Sequence, residues 1–158
     1  MSKMNGLDNV YIRNTLQGLC KDFIDVFSSD NIPPEISERN NFTIICNLSK
    51  CGDKGTHFIT IVVDCESVVY IDSLGLPCIN EDISKFLNRL NRPISYNTRT
   101  IQHPNSVFCG YYCIFYALLF DSGTNVDKKD FVFSTSNLYK NDKLCIKYIK
   151  QLISMCEK

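Results

Sequence analysis

Tryptophan is absent from the 158 residues, and histidine occurs only twice, as His57 and His103. The chain also lacks a net charge, because 17 lysines and arginines balance 17 aspartates and glutamates. Without an excess of either sign there is no overall field to draw the protein to nucleic acid or to an anionic membrane. No run of about 18 apolar residues occurs, and the first residues lack the apolar core of a signal peptide. These absences predict a soluble, intracellular protein that does not span a membrane.

Paired cysteine motifs are also missing, although the chain contains nine cysteines. The number is odd, no C-x-x-C spacing occurs, and two histidines are too few to support a zinc site well. We therefore predict neither a structural metal site nor a disulfide framework, and the sequence requires no cofactor. Most of the cysteines are expected to pack in the core, as free cysteines usually do.

The length of 158 residues predicts a single domain over 1–158, and the order of its apolar patterns predicts an α+β fold. A helical stripe covers most of 7–27, a second helix is capped by Asn80, and a C-terminal helix is capped by Asp142. Segments rich in β-branched residues and bounded by turn residues predict strands at 42–48, 57–64, 68–72 and 94–101. We expect a small mixed or antiparallel β-sheet packed with helices, in which the second and third strands form an antiparallel hairpin.

Cys109 stands at the start of the most apolar segment of the chain. Behind it, large side chains recur at helical spacing and predict a buried helix: Tyr112, Phe115, Tyr116, Leu119 and Phe120. A thiol at a helix N-terminus lies at the positive end of the helix dipole, which stabilises the thiolate and lowers the thiol pKa. Cys109 is therefore a candidate nucleophile, and Gly110 leaves space beside its thiol. The alternative is an ordinary core cysteine, which is the commoner case for a cysteine chosen blind.

His57 and Asp72 are the candidate partners of that thiol. His57 opens one strand of the predicted hairpin and Asp72 closes the other, so antiparallel pairing brings both to the same edge of the sheet. A carboxylate on one imidazole nitrogen fixes the ring, and the other nitrogen can then take the thiol proton. Taken singly, each could be a surface histidine or a turn aspartate. Together with a cysteine at a helix start, the three fit one site better.

Gln102 is the candidate oxyanion donor. The turn residues Pro104, Asn105 and Ser106 separate it from Cys109 and can fold its side-chain amide back toward the thiol. An amide N–H directed at a developing oxyanion stabilises the tetrahedral intermediate of acyl transfer. The neighbouring His103 is predicted to be a loop residue on the leaving-group side. Cys113, one helical turn after Cys109, is predicted to be a core residue.

Three blocks of this sequence resemble the signature segments of adenain, the adenovirus maturation protease, and of its relatives in virophages and in Polinton or Maverick elements. The blocks are Gly55-Thr56-His57-Phe58, Tyr70-Ile71-Asp72-Ser73-Leu74-Gly75, and Gln102-His103-Pro104-Asn105-Ser106 leading to Cys109-Gly110-Tyr111-Tyr112-Cys113. The resemblance covers roughly residues 20–120. The same order of histidine, acid and cysteine is found in the wider group of SUMO- and ubiquitin-like deconjugating proteases.

The resemblance implies a cysteine endopeptidase in which Cys109 is the nucleophile, His57 the base and Asp72 the acid that orients it. Gln102 and the backbone N–H of Cys109 would form the oxyanion hole. Members of the family cut virion precursor proteins after small residues, often glycine, during capsid maturation, which implies viral capsid precursors as substrates and a location in the host cell and the virion. The segments 25–30 and 32–34 would help to form the cleft. Two alternatives remain: an isopeptidase that removes ubiquitin-like proteins, and a non-catalytic virion or scaffold protein.

The sequence departs from the family pattern in three places. Phe58 follows the histidine where the family usually has tryptophan, and the acid is aspartate where adenoviral members can carry glutamate. Adenoviral enzymes are activated by DNA and by a viral peptide disulfide-linked to a cysteine just upstream of the glutamine. Residues 95–101 contain no cysteine here. A DNA partner would have one basic helix face available, formed by Lys140, Lys143, Lys147 and Lys150.

Overall fold

The computed structural model describes residues 5–123, 133 and 136–158, and within them the chain forms a five-stranded sheet and four α-helices. The helices are α1 (Asn9–Leu16), α2 (Glu81–Arg89), α3 (Cys109–Asp121) and α4 (Leu138–Cys156). The strands are β1 (Phe23–Ser28), β2 (Phe42–Asn47), β3 (Phe58–Val63), β4 (Val68–Ile71) and β5 (Ile94–Tyr96). A short 3-10 helix, Pro34–Glu38, lies between β1 and β2.

The strands lie in the sheet in the order in which they occur in the chain, β1-β2-β3-β4-β5. The two inner pairings, β2 with β3 and β3 with β4, are antiparallel, whereas β1 and β5 add to the edges in parallel. The predicted hairpin is therefore present, with Thr60 opposite Ile71 and Val63 opposite Val68. The prediction of an α+β fold with a small mixed sheet is confirmed.

Both faces of the sheet are covered, because successive side chains of a strand point to opposite sides. On one face Ile45, Phe58 and Ile71 pack with the apolar helix α3, and α1 and α4 complete that core. On the other face Ile44 and Ile59 pack against a smaller layer formed by α2 and the 3-10 helix. Helix α3 contacts β3 directly, so its first residue is held against the rigid centre of the sheet.

The prediction of a helix over most of 7–27 is wrong in its second half. Helix α1 ends at Leu16, and Phe23–Ser28 form the edge strand β1, paired in parallel with β2. The register shifts between Phe23 and Val26, and both of these side chains pack against the α3 side of the core. This irregularity puts two apolar residues three positions apart on one face, which reproduces the spacing of a helix in a strand.

Two other element boundaries also differ from the predicted ones. The strand predicted at 94–101 is limited to Ile94–Tyr96, and the rest of that segment forms loop contacts with the residues after β4. Helix α4 begins earlier than predicted, and its cap is Asn137, whose side chain accepts from the N–H of Lys140. Asp142 is instead buried inside α4, where Tyr112 donates its hydroxyl to the carboxylate at 2.9 Å. The predicted cap Asn80 of α2 is confirmed, since it accepts from Ile83.

Candidate active site

Cys109 is the first residue of α3, a helix whose side chains are buried on nearly every side. The N-terminal segment packs directly on this helix start. A side chain at Gly110 would place its Cβ 3.0 Å from Cβ of Leu7 and 3.1 Å from Cδ1 of Ile12. The prediction that Gly110 leaves open space beside the thiol is therefore wrong, because Leu7 and Ile12 fill that space. Glycine instead allows the close packing that holds the thiol at the helix N-terminus, where it was predicted to lie.

His57 and Asp72 meet at one edge of the sheet, as the hairpin predicted. His57 immediately precedes β3, Asp72 immediately follows β4, and the imidazole Nε2 lies 2.7 Å from the carboxylate Oδ1. Asp72 is only 1% exposed, so little water competes for this contact. His57 also interacts with Cys109, since each group shifts the pKa of the other, and Nδ1 is the ring nitrogen left for the thiol because Nε2 is engaged by the carboxylate.

Asn97 is a part of the site that the sequence analysis missed. Its side-chain Oδ1 accepts from the backbone N–H of Asp72 at 2.7 Å, and its Nδ2 donates to the Asp72 carbonyl at 2.5 Å. The N–H of Leu74 adds a bond of 2.8 Å to the carboxylate Oδ1. Asp72 is thus fixed through its main chain and its side chain before it contacts His57. No local pattern reveals this role, since Asn97 stands in a polar loop 25 residues away in the sequence.

The electrostatics of the site favour an ion pair between thiolate and imidazolium. Burial lowers the pKa of His57, but the hydrogen bonds and charges of Asp72 and Cys109 outweigh it and raise the pKa to about 9. Burial raises the pKa of the Cys109 thiol, but the hydrogen bond from His57, the backbone N–H groups of Phe58 and Gly110 and the His57 charge together lower it. Other buried cysteines show the opposite net shift, because burial prevails and raises the pKa of the thiol. These cysteines are Cys20, Cys46, Cys113 and Cys145. Cys113 is the core residue that was predicted.

Gln102 is held with its amide beside the same site. It is 2% exposed, and its Nε2 donates to the carbonyl of Ser106 at 3.0 Å across the turn that begins at His103. Its Oε1 accepts from the hydroxyl of Ser73 at 2.6 Å. The folding back of this segment agrees with the prediction from its turn residues. The contact of Ser73 with Gln102 is not predictable from the sequence, because the two residues are 29 positions apart.

A cleft of about 880 Å³ joins these groups, and its lining includes His57, Gln102 and Cys109. The lining also includes an ion pair between Arg13 of α1 and Asp25 of β1. Residues 25–28 line this cleft as expected, whereas the predicted contribution of 29, 30 and 32–34 is wrong because those residues line a separate cavity beside α2. The arrangement presents a thiol, a base and an amide donor to whatever enters.

His103 is a loop residue, as predicted, but it does not lie beside the cleft. Its ring stacks on Tyr139 of α4 with centroids 3.8 Å apart, and its Nδ1 accepts from the N–H of Asn105. It is not among the residues that line the cleft, so a position on the leaving-group side is wrong. Its contacts connect the loop after Gln102 to α4.

Replacing Asp72 with asparagine is expected to lower the pKa of His57 from about 9 toward its ordinary value of 6.5. Asparagine keeps an acceptor oxygen near Nε2 but removes the negative charge that favours the imidazolium. The protonated form would then be lost at a lower pH than in the wild type. The measurement is an NMR titration of the two histidine rings, with the His103→Ala variant assigning the His57 signal. An unchanged midpoint would show that Asp72 does not stabilise the imidazolium.

The predicted basic face of α4 consists of Lys140, Lys143, Lys147 and Lys150, all of them exposed. The opposite side of the same helix carries Cys145 and Ile149 into the core.

In the part of the chain that the structure describes, no helix has the length and apolar character needed to cross a bilayer. Nor do those residues contain a cluster of three or more His, Cys, Asp or Glu side chains suited to a metal ion.

No protein-family profile matches the sequence, and no curated protein matches it. Its fold does have relatives among solved structures. The central domain of the uncharacterized Lpg1148 protein from Legionella pneumophila superposes with a TM-score of 0.56 at 12% identity, over 96% of this chain and 99% of that one. The ASFV pS273R protease superposes with a TM-score of 0.53 at 18% identity, over 89% of this chain and 66% of that one. The chain therefore shares its α+β fold with the ASFV pS273R protease.

Proposed function

We propose that the protein is a cysteine endopeptidase that uses Cys109, His57 and Asp72 as its catalytic triad. The observation that carries the proposal is the chain of contacts from Asp72 through His57 to a thiol whose pKa is lowered, at the edge of an open cleft. A binding protein has no need of a base directed at a thiol. The fold shared with the ASFV pS273R protease supports the same reaction class.

In the proposed reaction the Cys109 thiolate attacks the carbonyl carbon of the scissile peptide bond. The resulting oxyanion is stabilised by the free N–H of the Gln102 amide and by the backbone N–H at the start of α3. His57 then gives its proton to the leaving amine, and a thioester remains on Cys109. A water molecule, deprotonated by His57, attacks the thioester and releases the carboxylic acid product. Asp72 keeps the ring in place and balances its charge throughout.

The proposed substrates are virion or capsid precursor proteins cut after small, glycine-type residues, inside the host cell and in the virion. The support is the resemblance of the three sequence blocks to adenain-like maturation proteases, together with the fold that the chain shares with the ASFV pS273R protease. The size of the cleft is compatible with a peptide segment, because it exceeds what a single side chain fills.

The proposal is tested by labelling with an electrophilic peptide that ends in a glycine-type residue, followed by intact mass measurement. We expect one adduct in the wild type and none in Cys109→Ala. The matched control is Cys51→Ala, because Cys51 is an exposed cysteine that lines the same cleft and should not be needed for labelling. Adducts spread over several of the nine cysteines, or an adduct that persists in Cys109→Ala, would contradict the proposal.

A further inference from the structure

The amide of Gln102 poses a problem of orientation. A glutamine amide has a donor end and an acceptor end of nearly equal shape, and only the donor end can stabilise an oxyanion. One N–H of Nε2 is taken by the carbonyl of Ser106 at 3.0 Å, which leaves the other for the cleft. A flipped amide would direct its own oxygen at that carbonyl, and two acceptors repel. The Ser106 carbonyl therefore determines that Nε2, and not Oε1, is the end of the amide beside it.

The position of the amide depends on a second contact, at the opposite end. The hydroxyl of Ser73 donates to Oε1 of Gln102 at 2.6 Å, and both residues are almost completely buried, at 3% and 2% exposure. Without that hydroxyl the oxygen would be a buried acceptor with no partner, which is costly enough to make a side chain move toward other donors or water. A hydrogen bond to the oxygen of an amide also polarises its N–H groups and makes them better donors.

Ser73 holds the main chain of the same segment as well. Its carbonyl accepts from the N–H of Ile101 at 2.9 Å and from that of Gln102 at 3.0 Å. Its neighbour Asp72 contacts His57, so two consecutive residues support the two halves of the site. The main-chain bonds do not depend on the side chain. A substitution at Ser73 can therefore remove the support of the amide while it leaves the backbone of the segment in place.

We propose that Ser73 is a positioning residue that acts through Gln102 and keeps the amide donor directed at the oxyanion. This inference rests on the proposed endopeptidase activity. Ser73 contacts neither the thiol nor the imidazole in the described hydrogen bonds. Its loss should therefore weaken stabilisation of the tetrahedral intermediate and leave the thiolate itself unchanged.

Kinetics of Ser73→Ala with a glycine-type peptide form the first test. We expect kcat to fall about ten- to a hundredfold, with little change in KM. The reason is that the hydrogen bond from the Gln102 amide to the oxyanion forms mainly in the transition state, so its weakening hardly affects substrate binding. Ser73→Thr, which keeps the hydroxyl, should recover part of the loss. In a Gln102→Ala background Ser73→Ala should have no further effect. Wild-type kcat in Ser73→Ala, or an equal loss in both backgrounds, would overturn the inference.

Alkylation of Cys109 by iodoacetamide separates this role from a general disturbance of the site. That displacement develops no oxyanion, so Ser73→Ala should react at the wild-type rate while its peptide turnover falls. A parallel fall in both rates would mean that Ser73 acts on the thiolate, against the inference. Ser29→Ala is the matched control, because Ser29 is equally buried but its hydroxyl has no hydrogen-bond partner among the described residues. That variant should turn over peptide like the wild type.

A readout that needs no turnover keeps the two proposals distinguishable. The side-chain amide signal of Gln102, assigned by its disappearance in Gln102→Ala, should shift and exchange faster with solvent in Ser73→Ala but not in Ser29→Ala. If the signal is unchanged, the inference is wrong whatever the activity. If the signal moves as expected and the wild type cleaves no peptide, the positioning of the amide stands and the endopeptidase proposal fails.

Discussion

His57→Ala is expected to lower kcat/KM for a glycine-type peptide about a thousand- to ten-thousandfold near neutral pH. Two effects combine in that loss. The thiol of Cys109 no longer has the hydrogen bond and the charge that lower its pKa, so burial prevails and raises it. The leaving amine also loses its proton donor, and an amide is a poor leaving group without one. Initial rates measured across pH give the size of each effect.

Raising the pH should restore part of the nucleophile in His57→Ala, because hydroxide can ionise the thiol without a base beside it. Alkylation of Cys109 by iodoacetamide should therefore recover in alkaline solution, whereas peptide cleavage should not, since the proton donor is still missing. The other histidine supplies the matched control. His103 stacks on Tyr139 outside the cleft, so His103→Ala should cleave peptide at the wild-type rate. More than a tenth of wild-type turnover in His57→Ala would show that the ring is not the base.

The second large effect is expected for Gln102→Ala, which should lower kcat about a hundred- to a thousandfold. The substitution removes an amide donor from the cleft but leaves the contact between His57 and Asp72 intact. The alkylation rate of Cys109 should therefore be preserved, which separates loss of the oxyanion donor from loss of the thiolate. The comparison requires single-turnover measurement with a peptide and alkylation under the same conditions.

Unchanged turnover in Gln102→Ala would assign the oxyanion donor elsewhere, to the backbone N–H groups at the start of α3. A fall in turnover matched by an equal fall in alkylation would mean that the glutamine supports the thiolate. A urea unfolding curve for the variant completes the comparison, because Gln102 is buried and its truncation also leaves the Ser73 hydroxyl without its acceptor. The kinetic conclusion applies where the variant is fully folded.

The parts of the site that local patterns specify can be predicted from the sequence. A buried helix behind Cys109 follows from the spacing of large apolar residues, and the meeting of His57 with Asp72 follows from antiparallel pairing of adjacent strands. The supports of these residues cannot be found in that way. Ser73 lies 29 positions before Gln102, and Asn97 lies 25 positions after Asp72. Polar residues in loops give no sign of which distant segment they will contact.

The mistaken elements have physical reasons of the same kind. The segment of β1 was predicted to be helical because its apolar residues Phe23 and Val26 are three positions apart. A register shift puts both on one face of a strand, and pairing with β2 makes the segment a strand rather than a helix. Asp142 was assigned to a helix cap because aspartate commonly occupies that position. Its actual contacts are the hydroxyl of Tyr112 and the loop at His103, which only the docking of α4 on α3 creates.

The turn that connects β3 and β4 lies at the end of the hairpin away from His57 and Asp72. His57 and Asp72 therefore stand beyond the last residue pair of the hairpin, Thr60 opposite Ile71. Loop contacts hold them there: Asn97 binds the main chain of Asp72, the N–H of Gly75 donates to the Asp72 carbonyl at 2.8 Å, and the N–H of Leu48 donates to the carbonyl of His57 at 2.9 Å. The distance between Nε2 and Oδ1 is thus determined by these loop bonds rather than by the strand pairing of the hairpin itself.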